Sequence, residues 1–398
     1  MKNAYVVGTF DTKNEELSYV ADLIRAAGAV VVTVDVSAKP DSATVDVSNT
    51  EVAAFHPSGK KFLGETEDRG KAVTMMSEAL GEFLLSRDDI GGIIGLGGSG
   101  NTALVTAAMR RLPVGVPKVM VSTVASGDVE PYVGPNDIAM MYSVTDVAGI
   151  NRISRVVLGN AAHAIAGMVV NAIPAAGAEK PTLGMTMFGV TTPCVTALRK
   201  ALEGEFDPLI FHATGTGGRS MEKLIDSGMI SHVIDVTTTE VCDLLMGGVM
   251  SAGEDRMGAI IRRKIPYVGS VGALDMVNFA AVETVPEKYK ARNLYIHNAN
   301  VTLMRTTAAE NSAMGHWIGE KLNLMTGPVR FLLPEKGVSL IDAEGQPFYD
   351  PAADEALFSA IEETVIQNEQ RKVTRLPYNI NDPEFVDALV SAFREIHQ

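Results

Sequence analysis

Short, continuously apolar runs alternate with helical patterns along almost the whole chain. AYVVGTF leads into a stretch where Leu17, Val20, Ala21 and Ile24 share one face. AVVVTVDVS follows, then a helical pattern near 69–86, GGIIGL, a helical pattern near 101–111, PKVMVST, and a long helical pattern near 148–172. Strands apolar at every position need cover on both faces, which predicts a parallel sheet with helices on either side. NAIPAAGAEKPTLG has the composition of a connection and places a boundary near 175–182. Beyond it TLGMTMFG, a helix from Pro193, PLIFHATG, a helix near 219–227, SHVIDVT and a helix near 239–247 repeat the alternation, and IPYVGSV, NLYIHN, VRFLLP and KVTRLP continue the strand series. The predicted fold is α/β: two Rossmann-like, doubly wound subdomains with mostly parallel sheets, residues 1–178 and 179–398.

Several helix starts are signalled. Thr12 with Glu15, Thr237 with Glu240, and Thr307 with Glu310 have capping-box spacing, and Gly28 reads as a helix stop. Thr192-Pro193 and Asp382-Pro383 put Pro at the first helical turn.

Charge narrows the ligand classes. The net charge of −14 repels phosphate backbones, so no nucleic-acid partner is expected, and any anionic ligand must be held by local N–H groups or a few cations. Cys194 and Cys242 form no C-x-x-C pair and read as buried thiols of a reducing cytoplasm. The apolar run at the N-terminus breaks at Asp11, so neither a signal peptide nor a membrane span is expected. The stretch AAHAIAGMVVNAIPAAGA, interrupted by His163, Asn171 and Pro174, reads as a buried helix and its exit. With 19 Met and a mean hydropathy of +0.13, the composition predicts a homodimer.

Open α/β sheets bind ligands beyond the carboxyl ends of their strands. At the first exit, GTFDTK brings Thr9, Asp11, Thr12 and Lys13 to a helix start. Lys13 and the backbone N–H groups suit a phosphate, and Asp11 suits a hydrated Mg²⁺. The strongest signal is GGIIGLGGSGNTAL, in which a strand enters Gly97, Gly98, Ser99, Gly100 and Asn101 and a helix opens. Glycine lets a backbone approach an anion closely, and the helix dipole favours negative charge. The string matches G-x-G-x-x-G formally, but it does not follow the first strand, and the next strand ends in Ser122 and Thr123 instead of an acid. No Walker A Gly-Lys-Ser/Thr is present. Ser126, Gly127 and Asp128 offer a hydroxyl, a turn and a second metal carboxylate. Asp35, ending the second strand, suits ribose or adenine contacts or is a solvated strand end.

In the second half, PLIFHATGTGGRSMEKL gathers His212, Thr214, Gly215, Thr216, Gly217, Gly218 and Arg219 at one exit. VIDVTTTEV adds Asp235 and Glu240, GALDMVNF adds Asp275 and Asn278, and NLYIHNANVTLMR adds His297, Asn298 and Arg305. His212, Arg219, Glu240 and Arg305 are the candidate catalytic groups, for acid–base work or for clamping an anion; Thr214, Gly215, Thr216, Gly217, Gly218, Asn278, His297 and Asn298 would bind substrate. Any one of them also reads as capping or core. No H-E-x-x-H, G-x-S-x-G or kinase signature occurs.

GTFDTK, LGGSGN, YSVTDVAGIN, the run from GVTTPCV to FHATGTGGRSMEKLI, DVTTTEV, ALDMVNF and HNANVTLMRTTAAE together resemble one bacterial family. It is similar to the N-terminal ATP-binding domain of the tomato tobamovirus-resistance protein. The resemblance spans essentially the whole chain. It implies two α/β subdomains, ATP binding and a homodimer, and it supports Asp11, Thr12, Lys13 and the loop Gly97 to Asn101 as part of the nucleotide site. The family often has a second glycine where this chain has Asn101. Viral inhibition does not transfer.

The resulting expectation is an ATP- and Mg²⁺-dependent enzyme that transfers phosphate to, or ligates, a small anionic substrate in a cleft between the subdomains. The alternatives are a nucleotide-binding protein without turnover and, less favoured, an NAD-dependent oxidoreductase.

Overall fold

The computed structural model describes residues 2–38, 44–63, 69–173 and 180–397. The chain divides into two compact units, Met1–Ala176 and Gly177–Gln398. Both are α/β, each built on a parallel sheet.

In the first unit, β1 (Asn3–Gly8), β2 (Val31–Asp35), β3 (Ile90–Gly97), β4 (Lys118–Ser122) and β5 (Ile138–Tyr142) form one sheet in the order β2-β1-β3-β4-β5. Every pairing is parallel. The helices are α1 (Phe10–Ala26), α2 (Asn49–Ala53), α3 (Arg69–Leu85), α4 (Ser99–Met109), α5 (Glu130–Val133) and α6 (Arg152–Val170). Along β1 the side chains alternate between two cores. Tyr5 and Val7 join Met76, Leu80 and Leu104 on the α3–α4 face, whereas Ala4 and Val6 join Leu17, Val20 and Ile165 on the α1–α6 face. This double cover explains why the strand is apolar at each position.

The second unit has the same plan. β6 (Thr182–Met187), β7 (Asp207–His212), β8 (His232–Thr237) and β9 (Tyr267–Gly272) pair in parallel with β13 (Val329–Pro334) and β14 (Arg371–Leu376), in the order β14-β13-β9-β8-β6-β7. Counted along the chain, both large sheets start second–first–third–fourth–fifth. The helices are α7 (Thr192–Leu202), α8 (Thr216–Asp226), α9 (Glu240–Met246), α10 (Gly258–Arg263), α11 (Ala308–Leu324), α12 (Pro351–Thr364) and α13 (Pro383–Ile396).

One expectation is corrected here. NLYIHN does not extend the parallel series. β10 (Met276–Phe279), β11 (Leu294–Asn298) and β12 (Val301–Arg305) make a separate antiparallel sheet, ordered β10-β12-β11. Only Ala299 and Asn300 link β11 to β12, which leaves no room for the crossover that parallel pairing needs.

Helix starts also differ from the motif reading. Thr307–Glu310 is a capping box, and Pro193 and Pro383 lie in first turns. Thr12–Glu15 is not a box, because α1 already begins at Phe10, with Thr9 as its N-cap and a non-helical residue at Lys13. Thr237 and Glu240 form no box either: the Thr237 hydroxyl bonds Thr191 and Thr186, and Glu240 faces the core.

Candidate functional site

In a sheet of order second–first–third, the chain leaves the first and third strands in opposite directions, which opens a crevice at their carboxyl ends. In the first unit that crevice lies between the exits of β1 and β3. It is a cavity of about 650 Å³. Its polar side comprises Thr9, Asp11, Thr12 and Lys13 after β1, Gly97 to Asn101 after β3, and Asp146 after β5. Its apolar side comprises Val36, Phe62, Ala72, Val73, Met76 and Leu104. The cavity has the mixed lining and the size of a small-molecule site.

Two helices start at this cavity, and their first turns differ. At α1 the amides are already satisfied. Phe10 N–H donates to Asp35 Oδ1 at 3.1 Å, Asp11 N–H to Ser37 Oγ at 3.1 Å, and the Thr12 and Lys13 N–H groups to Thr9 O. At α4, Thr102 N–H closes the first helical bond onto Gly98 O, while the N–H groups of Ser99, Gly100 and Asn101 have no acceptor among the described residues. No acidic side chain stands in the first turn of α4. Of the two starts, α4 is the open one, with the partial positive charge of a helix N-terminus and donors in hand.

The glycines of this loop divide by role. Gly97 has φ +149°, and a Cβ there would press on Asn101 Cβ at 3.0 Å, so the backbone itself requires glycine. Gly98 has ordinary extended φ (−78°), and a Cβ would meet only Thr123 Oγ1, at 3.9 Å. A Cβ on Gly100 would meet nothing within 4 Å among the described residues. None of those residues requires glycine at either position, and both line the cavity. Asn101 anchors the turn by donating from Nδ2 to Leu96 O at 2.5 Å.

Lys13 Nζ donates to Val147 O, and the buried Glu16 accepts the Gly149 N–H at 2.7 Å, so α1 holds the loop after β5 in place. That loop carries Asp146 and a β-branched residue, Val144, at φ +67°, a conformation kept only where surrounding contacts impose it. Among the described residues no group of three or more His, Cys, Asp or Glu gathers to hold a metal. Asp11 and Asp146 are two carboxylates on one cavity, the number that Mg²⁺ takes when phosphate oxygens supply the rest.

Several candidates of the first unit lie elsewhere. Asp35 is 1% exposed, and one oxygen accepts from Phe10 N–H, Ser37 N–H and Ser37 Oγ. It works as the internal anion at the start of α1 and cannot face a ribose. Ser126 and Gly127 sit in an exposed turn outside the cavity lining, and Asp128, also exposed and outside it, accepts Glu130 N–H at 3.0 Å just before α5. Asp146 is not among the sequence candidates because IAMMY has the mixed pattern of an edge strand; the polar residues that follow it are the signal.

In the second unit the Gly-rich turn is closed from within. Glu240 Oε1 accepts Gly215 N–H at 2.7 Å and Gly218 N–H at 3.1 Å. Glu240 Oε2 accepts Arg256 Nε at 2.8 Å, and the same guanidinium reaches Asp235 at 2.7 Å and Glu222 at 3.3 Å. All four charged groups are buried. Burial raises Glu222 to about 7 although Arg256 opposes it, and Glu240 is raised for the same reason. A Cβ at Gly217 would overlap His212 O, one at Gly218 the Glu240 carboxylate, and Gly215 has φ +83°. These glycines are needed for packing, unlike Gly98 and Gly100.

The remaining second-unit candidates do not converge on one cavity. His212 is exposed at the end of edge strand β7, stacked on Phe188 at 5.3 Å, and burial lowers its pKa. Thr214 bonds back to His212 O, and Thr216 accepts from Ser220 within α8. Arg219 is half-buried in the first turn of α8. Asn278 is fully buried and donates to Asp243 at 2.7 Å. His297 and Asn298 are exposed on β11, outside the parallel sheet. Arg305 lies within β12, 5% exposed, bonded to Asp354 at 2.9 Å and Asp342 at 3.3 Å. It follows no parallel strand, so the strand-exit rule does not apply to it.

Comparison with known proteins bears on the whole chain. A UPF0261 protein of Rhizobium meliloti (strain 1021) is 60% identical over 396 residues, covering 100% of this chain and 99% of that one. A UPF0261 protein of Clostridium tetani is 48% identical, covering 98% and 97%. The ToMV resistance protein Tm-1(GCR237) of Solanum lycopersicum is 45% identical over 98% of this chain, which spans 55% of that protein. Among solved structures, UDP-N-acetylglucosamine 2-epimerase from Rickettsia bellii aligns over 67% of this chain and 78% of its own at 10% identity and a TM-score of 0.22, and supports no functional statement. Residues 2–174 match the N-terminal domain and residues 180–397 the C-terminal domain of one family, so the chain belongs to the uncharacterised protein family UPF0261.

Proposed function

We propose that the first unit binds ATP with Mg²⁺. The observation that carries this reading is the open start of α4. Among the described residues three N–H groups have no acceptor, and Gly98 and Gly100, whose Cβ positions none of those residues crowds, front a cavity at the β1/β3 crevice. The phosphates would lie on Ser99, Gly100 and Asn101, with Lys13 alongside. Asp11 and Asp146 would hold the Mg²⁺, and the adenine would lie against Val36, Phe62, Ala72 and Met76. The metal would neutralise phosphate charge beside Lys13, the lysine on the described lining of the cavity. A cytoplasmic location, with its ATP and Mg²⁺, goes with this reading. NAD is disfavoured because Asp35 is buried and engaged with α1.

Whether a reaction follows is a separate question. Phosphoryl transfer or ATP-driven ligation of a small anion fits such a site. The engagement of Glu240, Asn278 and Arg305 inside the second unit favours the other reading, nucleotide binding without turnover, because it removes acid–base and clamping groups from solvent. Thermal shift with ATP·Mg²⁺ and with NAD tests the ligand. Saturation a hundredfold above Kd should add about 2.7 kcal/mol of stability for ATP and nothing for NAD. A shift with NAD alone would overturn the assignment, and phosphate release or transfer measured on the ATP-bound protein separates the two readings.

A further inference from the structure

We infer, on the basis of the nucleotide site proposed for the first unit, that His56 is a positioning residue for the nucleotide base. It stands outside the described lining of the cavity and holds the Phe62 ring on the apolar wall. Among the described lining residues Phe62 alone is aromatic, and its neighbours on that wall, among them Val36, Val73, Met76 and Leu104, are not. Phe62 ends a single helical turn, Gly59–Phe62. One turn has too few internal bonds to fix a side chain by itself, so the direction of the ring must be set from outside it.

His56 sets it with every polar atom it has. Its backbone N–H donates to Ala53 O at 3.1 Å, at the end of α2, and its carbonyl accepts Gly59 N–H at 2.7 Å, at the start of the turn. In the ring, Nδ1 accepts Ser58 N–H at 3.0 Å, which leaves the hydrogen on Nε2, and Nε2 donates it to Glu78 Oε2 at 3.1 Å. Glu78 lies on α3, two residues beyond Met76 of the cavity wall. The imidazole then meets the Phe62 ring edge to face, with centroids 5.3 Å apart and planes at 64°. Both rings are buried. Closing the turn requires only Nδ1 and the backbone. The bond to Glu78 and the ring contact go further, and tie two parts of the apolar wall, α3 and Phe62, to one imidazole.

Calorimetry with ATP and Mg²⁺ on wild type, His56→Asn, Phe62→Leu and the double variant tests this, with circular dichroism to verify folding. Asn can still accept the Ser58 N–H, as an Asx turn, but it offers Phe62 no ring. His56→Asn should weaken ATP binding about fivefold to tenfold. In the Phe62→Leu background the same change should add almost nothing, because His56 acts through that ring. Mg²⁺-tripolyphosphate, which has no base, should bind wild type and His56→Asn equally. If His56→Asn does not fold, His56→Gln, which keeps an amide for Glu78, takes its place with the same expectations. An ATP affinity unaltered by the His56 change, additive losses in the double variant, or a parallel loss of tripolyphosphate affinity would overturn the role of His56 and leave the nucleotide site standing. A wild type that binds no ATP would overturn both.

Discussion

The carboxylate of Glu240 accepts the backbone N–H of Gly218 at 3.1 Å, so α8 carries its own anion at its N-terminus. The same carboxylate is paired with Arg256, which is 1% exposed. A group that links a buried cation to two turn amides holds β7, β8 and the α8 start in one arrangement. Glu240→Ala should therefore destabilise the second unit by about 3–5 kcal/mol, because it leaves buried donors unpaired. Urea unfolding followed by Trp317, the only tryptophan and a residue of the second unit, measures this. Nucleotide affinity of the folded variant should not change.

Gly98→Val and Gly100→Val should behave in the opposite way. A Cβ at either position clashes with none of the described residues and neither φ is positive, so melting temperatures should stay close to wild type. The added side chains enter the cavity and keep a phosphate from the α4 amides. Calorimetry should then show ATP affinity reduced by tenfold or more, about 1.4 kcal/mol or greater. Unchanged affinity would make the loop a structural turn.

Stability of the second unit should fall as pH rises. Burial raises Glu222 and Asp243 to about 7 and also raises Asp275 and Asp342. A carboxyl with a raised folded-state pKa binds more protons folded than unfolded. Its contribution is complete below the unfolded value and is lost as pH climbs through the folded value. The window runs from about pH 4 to about pH 7 for Glu222 and Asp243. The urea midpoint reported by Trp317 should be lower near pH 8 than near pH 5.5. A midpoint that rises over this interval would mean that these groups stay ionised in the fold.

Much of the first-unit site was legible because its signals are local. A strand that runs into Gly97–Asn101 and then into a helix is read from neighbours in sequence, and Thr9, Asp11, Thr12 and Lys13 follow the same rule. Asp146 was less legible, since its role depends on an edge strand with a mixed pattern, IAMMY, lying beside β4. In the second unit TGTGG looks like LGGSG, yet the two loops are filled differently. Whether a helix start is open or closed depends on what faces it, and Glu240 comes from another strand exit, more than twenty residues away.

The amino-acid sequence alone therefore determined the doubly covered parallel sheets, through runs that are apolar at successive positions, and the places where glycine-rich turns meet helices. Those features arise from backbone sterics and solvent exclusion acting over a few residues. Tertiary structure alone decided which polar groups remain available. A buried charge must find its partners wherever the chain brings them, so Asp35, Glu240 and Arg305 became internal counter-charges, while the amides of Ser99, Gly100 and Asn101 were left facing a cavity.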